Sequence, residues 1–222
     1  MKNIEEILLK SSLGRGAIYN SLLLYRNIIP RFLGEYAIQI SFCQIKYLHY
    51  AKHRNKYYID SNYSKNNENI VTIYNKIPIK TEQLDLIIFP FIDLHINNLN
   101  HILFECYRIL KPNGKIIITA INPNSFLSII SKTNNHKYII SPEIMQKFII
   151  GHGFRIESGN FINYGYNFPK KLKLLNSNNY NLIGNRWFPT NANIYSLCFI
   201  KDIINPIQDN QKTSFILPDY IY

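Results

Sequence analysis

Valine occurs once and alanine five times among 222 residues, while isoleucine occurs 40 times and asparagine 29. This skew favours residues encoded by A/T-rich codons, and lysine rises with them. Mutational bias can therefore supply much of the excess of 25 Lys and Arg over 14 Asp and Glu, a formal charge of +11. That charge alone does not establish a nucleic-acid or membrane partner. The bases are scattered along the chain, and the densest group, Lys170, Lys171 and Lys173, is short. Cysteine is scarce as well. Cys43, Cys106 and Cys198 are far apart and odd in number, which excludes a disulfide framework and a metal-ligand spacing and fits a reduced, cytoplasmic setting. No run approaches the ~20 apolar residues of a membrane span. The first ten residues mix acids and bases and lack the apolar centre of a signal peptide. No internal repeat and no catalytic triad is visible.

What is present is concentrated in residues 84–122. L-D-L-I-I-F-P is a short apolar run closing on Pro90, which suits a strand buried on both faces. Leu99, Ile102, Leu103, Cys106, Ile109 and Leu110 then recur at steps of three and four, the period of a helix with one apolar face. Lys111-Pro112-Asn113-Gly114 stops that helix, because proline cannot continue it and Asn113 or Gly114 can take the left-handed conformation. A second apolar run over residues 115–121 begins at once. Strand, helix, tight turn and strand predict a right-handed crossover in a parallel sheet.

The phrase E-C-Y-R-I-L-K-P-N-G-K-I-I-I-T-A-I-N-P-N-S-F resembles the segment around strands four and five of class I S-adenosylmethionine-dependent methyltransferases. More narrowly, it is similar to a small proteobacterial branch of methyltransferase-like proteins with the type 11 domain. There a phrase R-V-L-x-P-x-G-x-L-x-I-x-G-F-N-P-x-S recurs. Arg108, Leu110, Pro112, Gly114, Asn122, Pro123 and Ser125 match it, while Ala120 and Ile121 depart from it. The resemblance implies a Rossmann-like α/β fold: a mostly parallel seven-stranded sheet, helices on both faces and an antiparallel last strand. It divides the chain into a helical cap over residues 1–33, a methyltransferase-like domain over 34–202 and a tail over 203–222.

In the cap, an apolar stripe through Leu22, Leu23, Leu24, Tyr25, Ile28 and Ile29 predicts helix, with Gly14 and Gly16 separating two helices. Residues 34–41 are the first strand by position. The resemblance calls for a glycine-rich turn after it, where only glycine lets the backbone approach the cofactor and the next helix N-terminus faces its carboxylate. No glycine stands from Ala37 to Ile59, so this signal is degenerate. Residues 56–60 read as strand two, 70–74 as strand three, 154–160 and 194–201 as the last two strands. Ser141-Pro142-Glu143 is a helix start. Asp85 falls at the edge of the sheet away from ligand and reads as structural, and Cys106 as core.

Ligands of open parallel sheets lie at the carboxyl ends of the strands. By resemblance, the cofactor S-adenosylmethionine is held by Gln39 and Ser41 after the first strand, Asp60 after the second, and Pro90 and Phe91 after the fourth. An acid such as Asp60 would take the two ribose hydroxyls. Asp93 and His95 after the fourth strand and Asn122 after the fifth are the catalytic candidates. The Asn122 amide would contact the acceptor, so Asn122→Ala is expected to leave stability nearly unchanged and Gly114→Val to reduce it. Ser125 reads as the cap of a helix from Phe126. Tyr166, Trp187 and Phe188 are placed to stack on a planar acceptor. The acceptor itself, a small molecule or RNA, is not named by the sequence, and no metal or membrane partner is implied. Two other expectations compete with the enzyme: a degenerate methyltransferase fold serving as a binding or scaffold protein, and an RNA-binding module using basic and aromatic residues.

Overall fold

The computed structural model describes residues 8–40, 45–60, 69–71, 76–92, 99–125, 127–129, 139–164 and 192–203. Its strands are β1 (Tyr36–Ile40), β2 (Asn55–Asp60), β3 (Asn69–Val71), β4 (Leu84–Phe89), β5 (Leu110–Ile121), β6 (Phe154–Ile162) and β7 (Ile194–Lys201). They form one sheet in the order β3-β2-β1-β4-β5-β7-β6. β1 to β5 pair parallel, and β7 is antiparallel to both β5 and β6. The expected seven-stranded sheet with a reversed last strand is therefore present.

The apolar run of β5, interrupted by Thr119 alone from Ile116 to Ile121, is explained by burial on both sides. Ile116, Ile118 and Ala120 enter one core while Ile117 and Ile121 enter the other, so neither face of this stretch turns to solvent. The first core is closed by α2 (Leu99–Ile109) and α3 (Pro142–Ile150), through Leu99, Ile102, Leu103, Cys106 and Ile109 and through Met145, Phe148 and Ile149. The second is closed by α1 (Ser12–Ile28) and the 3-10 turn Tyr47–Tyr50. Helix α1 thus shares its core with the sheet.

Sequence punctuation is recovered with two shifts. Ser11, not the Gly14–Gly16 pair, marks the break before α1: its Oγ accepts the Gly14 N–H at 2.9 Å, and the helix runs through both glycines. Residues 8–10 are helical on the other side of that cap. At the corner after α2, Asn113 takes the left-handed conformation (φ 62°). Strand pairing resumes already at Leu110 opposite Leu84 and shifts register before Lys115 meets Leu86, so the turn is a bulge inside β5. Gly114 is required by space: a Cβ there would lie 2.8 Å from the Lys111 carbonyl and 3.2 Å from that of Leu84, and against the Leu110 side chain. The strand expected over 70–74 is Asn69–Val71, with 72–75 outside the described residues.

Two polar residues of the matched phrase and its neighbourhood hold the frame. Arg108 donates to the carbonyls of Ile77 (3.0 Å) and Ile79 (2.9 Å) and to Glu105 (2.7 Å), pinning the segment before β4 to α2. Asp85 accepts from the N–H groups of Glu35 (2.8 Å) and Tyr36 (2.9 Å) and from Lys111 Nζ (2.8 Å), joining the starts of β1, β4 and β5. It is structural and lies at the amino edge, as expected. Burial raises its carboxyl, but the bonds from Lys111, Tyr36 and Glu35 outweigh that and hold it below the usual value.

Candidate site at the strand tips

The order of strands reverses between β1 and β4, the place where an open α/β sheet opens a crevice at its carboxyl ends. Register brings the tips level: Gln39 of β1 stands opposite Ile88 of β4, Ile40 opposite Ile59 of β2, and Phe89 of β4 opposite Ile118 of β5. Asp60, one residue beyond Ile59, closes β2 beside the tip of β1.

Gln39 is fully buried and its amide is committed at both ends. Nε2 donates to the Ile45 carbonyl (2.8 Å) and Oε1 accepts the Tyr47 N–H (3.0 Å). It therefore draws the returning chain across the end of β1, a role the sequence reading did not give it. The described part of that connection, residues 45–54, contains the 3-10 turn Tyr47–Tyr50 and no α-helix.

After β4, Pro90 and Phe91 are buried, and Phe91 adopts a left-handed backbone (φ 51°) rare for a bulky residue. Its N–H donates to Thr119 Oγ1 at 3.1 Å, tying the turn to β5, and its ring joins the core under α1. Ser41, Asp93, His95, Tyr166, Trp187 and Phe188 fall outside the described residues.

After β5, Asn122 is buried and fully engaged: Nδ2 donates to the Ala192 carbonyl (2.8 Å), Oδ1 accepts the Asn124 N–H (3.2 Å), and its own N–H donates to the Asn193 carbonyl (3.0 Å). The amide expected to reach an acceptor staples the lip of β5 to the start of β7. Ser125 Oγ accepts the Ser128 N–H at 3.0 Å, the expected cap. Sequence reading missed the partners of this staple. Asn193 Nδ2 donates to the Asn163 carbonyl (2.7 Å), and Asn20 of α1 donates to Asn163 Oδ1 (3.2 Å). Asn163 is left-handed (φ 68°), a conformation asparagine tolerates. Among 29 asparagines no local signal distinguishes these three.

Acid–base chemistry has few carriers among the described residues. Burial pushes the Tyr25 and Tyr47 phenols far above their ordinary value, and the Tyr164 phenol and Cys198 thiol up to about 12. None of these ionises near neutrality. No cluster of His, Cys, Asp or Glu able to hold a metal occurs among the described residues, and no helix of them is long and apolar enough to cross a membrane. A cavity of about 230 Å³ between Phe32, Asp85, Lys111 and Lys115 lies at the amino edge, the end opposite the tips.

At the tip next to β1 the strand β2 ends on an acid, Asp60, the residue type that suits the ribose hydroxyls of a nucleoside. At the amino-acid end the described connection offers a 3-10 turn in place of a helix N-terminus.

Residues 14–118 match a family described as "Methyltransferase domain". A SAM-dependent methyltransferase from Archaeoglobus fulgidus is 19% identical, covering 82% of this chain and 93% of its own, with a TM-score of 0.56. One from Mesorhizobium loti is 10% identical, with coverages of 80% and 96% and a TM-score of 0.53. The cyclase SpnF is 12% identical, with coverages of 87% and 83% and a TM-score of 0.58. At such identities the likeness is one of fold. No curated protein matches the chain. The matched segment runs from α1 into β5 and spans just under half of the chain, and the strand order with its reversed last strand gives this chain the fold of the S-adenosylmethionine-dependent methyltransferases it resembles.

Proposed function

We propose that the chain transfers a methyl group from S-adenosylmethionine to a small-molecule or RNA acceptor, at the tips of β1, β2 and β4. The observation that carries this reading is the switch point between β1 and β4 with an acid ending the adjacent strand. When bound, the cofactor supplies a methyl on a sulfonium, which an acceptor removes by in-line displacement, so alignment does most of the work. Asp60 accepts the two ribose hydroxyls. Pro90 and Phe91 wall the crevice, their turn held by Thr119. Asp93 or His95, next in sequence, takes the acceptor's proton where one must leave. Asn122 serves by fixing the lip through Ala192 and Asn193.

Calorimetry with S-adenosylmethionine and with its demethylated product tests this. Micromolar-range binding is expected, weakened at least about ten-fold in Asp60→Asn with no change in melting temperature, since each lost charge-assisted bond is worth ~1.5–3 kcal/mol. A second reading, a binding or scaffold protein on a degenerate fold, is favoured by the Gln39 clamp and by the 3-10 turn where a cofactor-facing helix belongs. Folded protein giving no heat at millimolar cofactor would select it.

A further inference from the structure

The positive charge of this chain is unevenly placed. Between residues 7 and 59 eight Lys and Arg stand against one acid, Glu35, so about a quarter of the chain carries +7 of the +11. A codon bias acts along the whole gene and gives no reason for acids to be missing from one segment. The fold then brings one of them, Arg26, onto an aromatic turn. Tyr47 packs edge-on against Tyr25 of α1 (ring centroids 5.0 Å apart) and its hydroxyl lies 3.0 Å from Ser21 Oγ, fixing the turn Tyr47–Tyr50 against the helix. Arg26 of α1 thereby comes to lie over Tyr50 (5.6 Å to the ring centroid), with His49 edge-on to the same ring at 5.3 Å. Lys52 and Arg54 follow within four residues of Tyr50, both exposed.

Four cations elsewhere in the described residues are paired. Arg108, Lys111, Lys115 and Lys201 each hold a carboxylate: Glu105, Asp85, Glu157 and Glu82. Among the described residues no carboxylate pairs with Arg26, Lys52 or Arg54. Unpaired cations beside an exposed ring set between a guanidinium and an imidazole form a site for a phosphate backbone with bases stacking between phosphates. A membrane-binding face would present Leu, Phe or Trp. The large exposed side chains of α1 and the turn are Tyr19 and Tyr50.

We infer that the face formed by Arg26, His49, Tyr50, Lys52 and Arg54 binds single-stranded nucleic acid. This goes beyond methyl transfer and does not depend on cofactor binding. Fluorescence anisotropy with a short labelled oligouridylate and its deoxy counterpart, titrated over a range of salt, tests it. Affinity should fall steeply with salt. The Arg26→Ala/Lys52→Ala/Arg54→Ala variant should lose affinity and about 2 units of log–log salt slope, at ~0.7 per phosphate contact. Tyr50→Ala should lose about ten- to a hundred-fold with its slope kept, the mark of stacking. All four positions are exposed, so melting curves should stay unchanged and report intact folding. The exposed pair Lys147→Ala/Arg155→Ala on α3 and β6 should bind as wild type. Preference for either sugar supports the assignment and identifies the ligand. Absence of binding at low salt, equal loss in the control pair, or binding to phosphatidylserine vesicles without binding to either oligonucleotide would overturn it.

Discussion

Replacing Asp85 by alanine removes the acceptor of three bonds at once, two from backbone N–H groups that start β1 and one from Lys111. The three do not weigh equally. Lys111 is about a third exposed, its side chain at 37%, and an ion pair so placed contributes at most about 1 kcal/mol. The Glu35 N–H is exposed and rehydrates, but the Tyr36 N–H is partly buried, and a stranded donor there costs ~1–3 kcal/mol. Asp85→Ala should therefore lose about 2–4 kcal/mol, or roughly 5–15 °C in Tm for a chain of this size. Lys111→Ala should lose less than about 1 kcal/mol. The carboxyl is held below its ordinary value in the folded state, so its contribution is complete above the unfolded value near ~4 and disappears as pH falls through the lower folded value. Urea denaturation across that acid range should show the gap between wild type and Asp85→Ala closing as the pH drops. Equal losses in the two variants, or a gap that persists unchanged in strong acid, would refute the account.

Gly114→Ala should destabilise by about 1–3 kcal/mol with an unchanged m value, because the added carbon meets two carbonyl oxygens and the Leu110 side chain. A loss below about 0.5 kcal/mol would show that the bulge relaxes freely. Asn122→Ala, which sequence reading expected to be silent, should lose about 1–3 kcal/mol, since it strands the buried Ala192 carbonyl. An unchanged melting temperature there would return the amide to the acceptor.

Periodicity and punctuation decide what forms locally, and these were readable. The three-and-four spacing of Leu99 to Ile109, the Ser141-Pro142 cap and the apolar run over 115–121 each act within a few residues of themselves and appear where expected, while the helix ends at Ile109 and the Asn113-Gly114 corner falls inside β5. The structural role of Asp85 was also legible, because its strand position set which edge it occupied. What a side chain does once formed was not. Gln39 spends its amide on residues 45 and 47, and Asn122 bonds across 70 residues to Ala192. The basic face exists only because Tyr25 meets Tyr47 and brings Arg26 onto Tyr50. Hydrogen bonds and charge pairing depend on which distant groups are buried together, and a one-dimensional pattern carries no record of that until the sheet has set the neighbours.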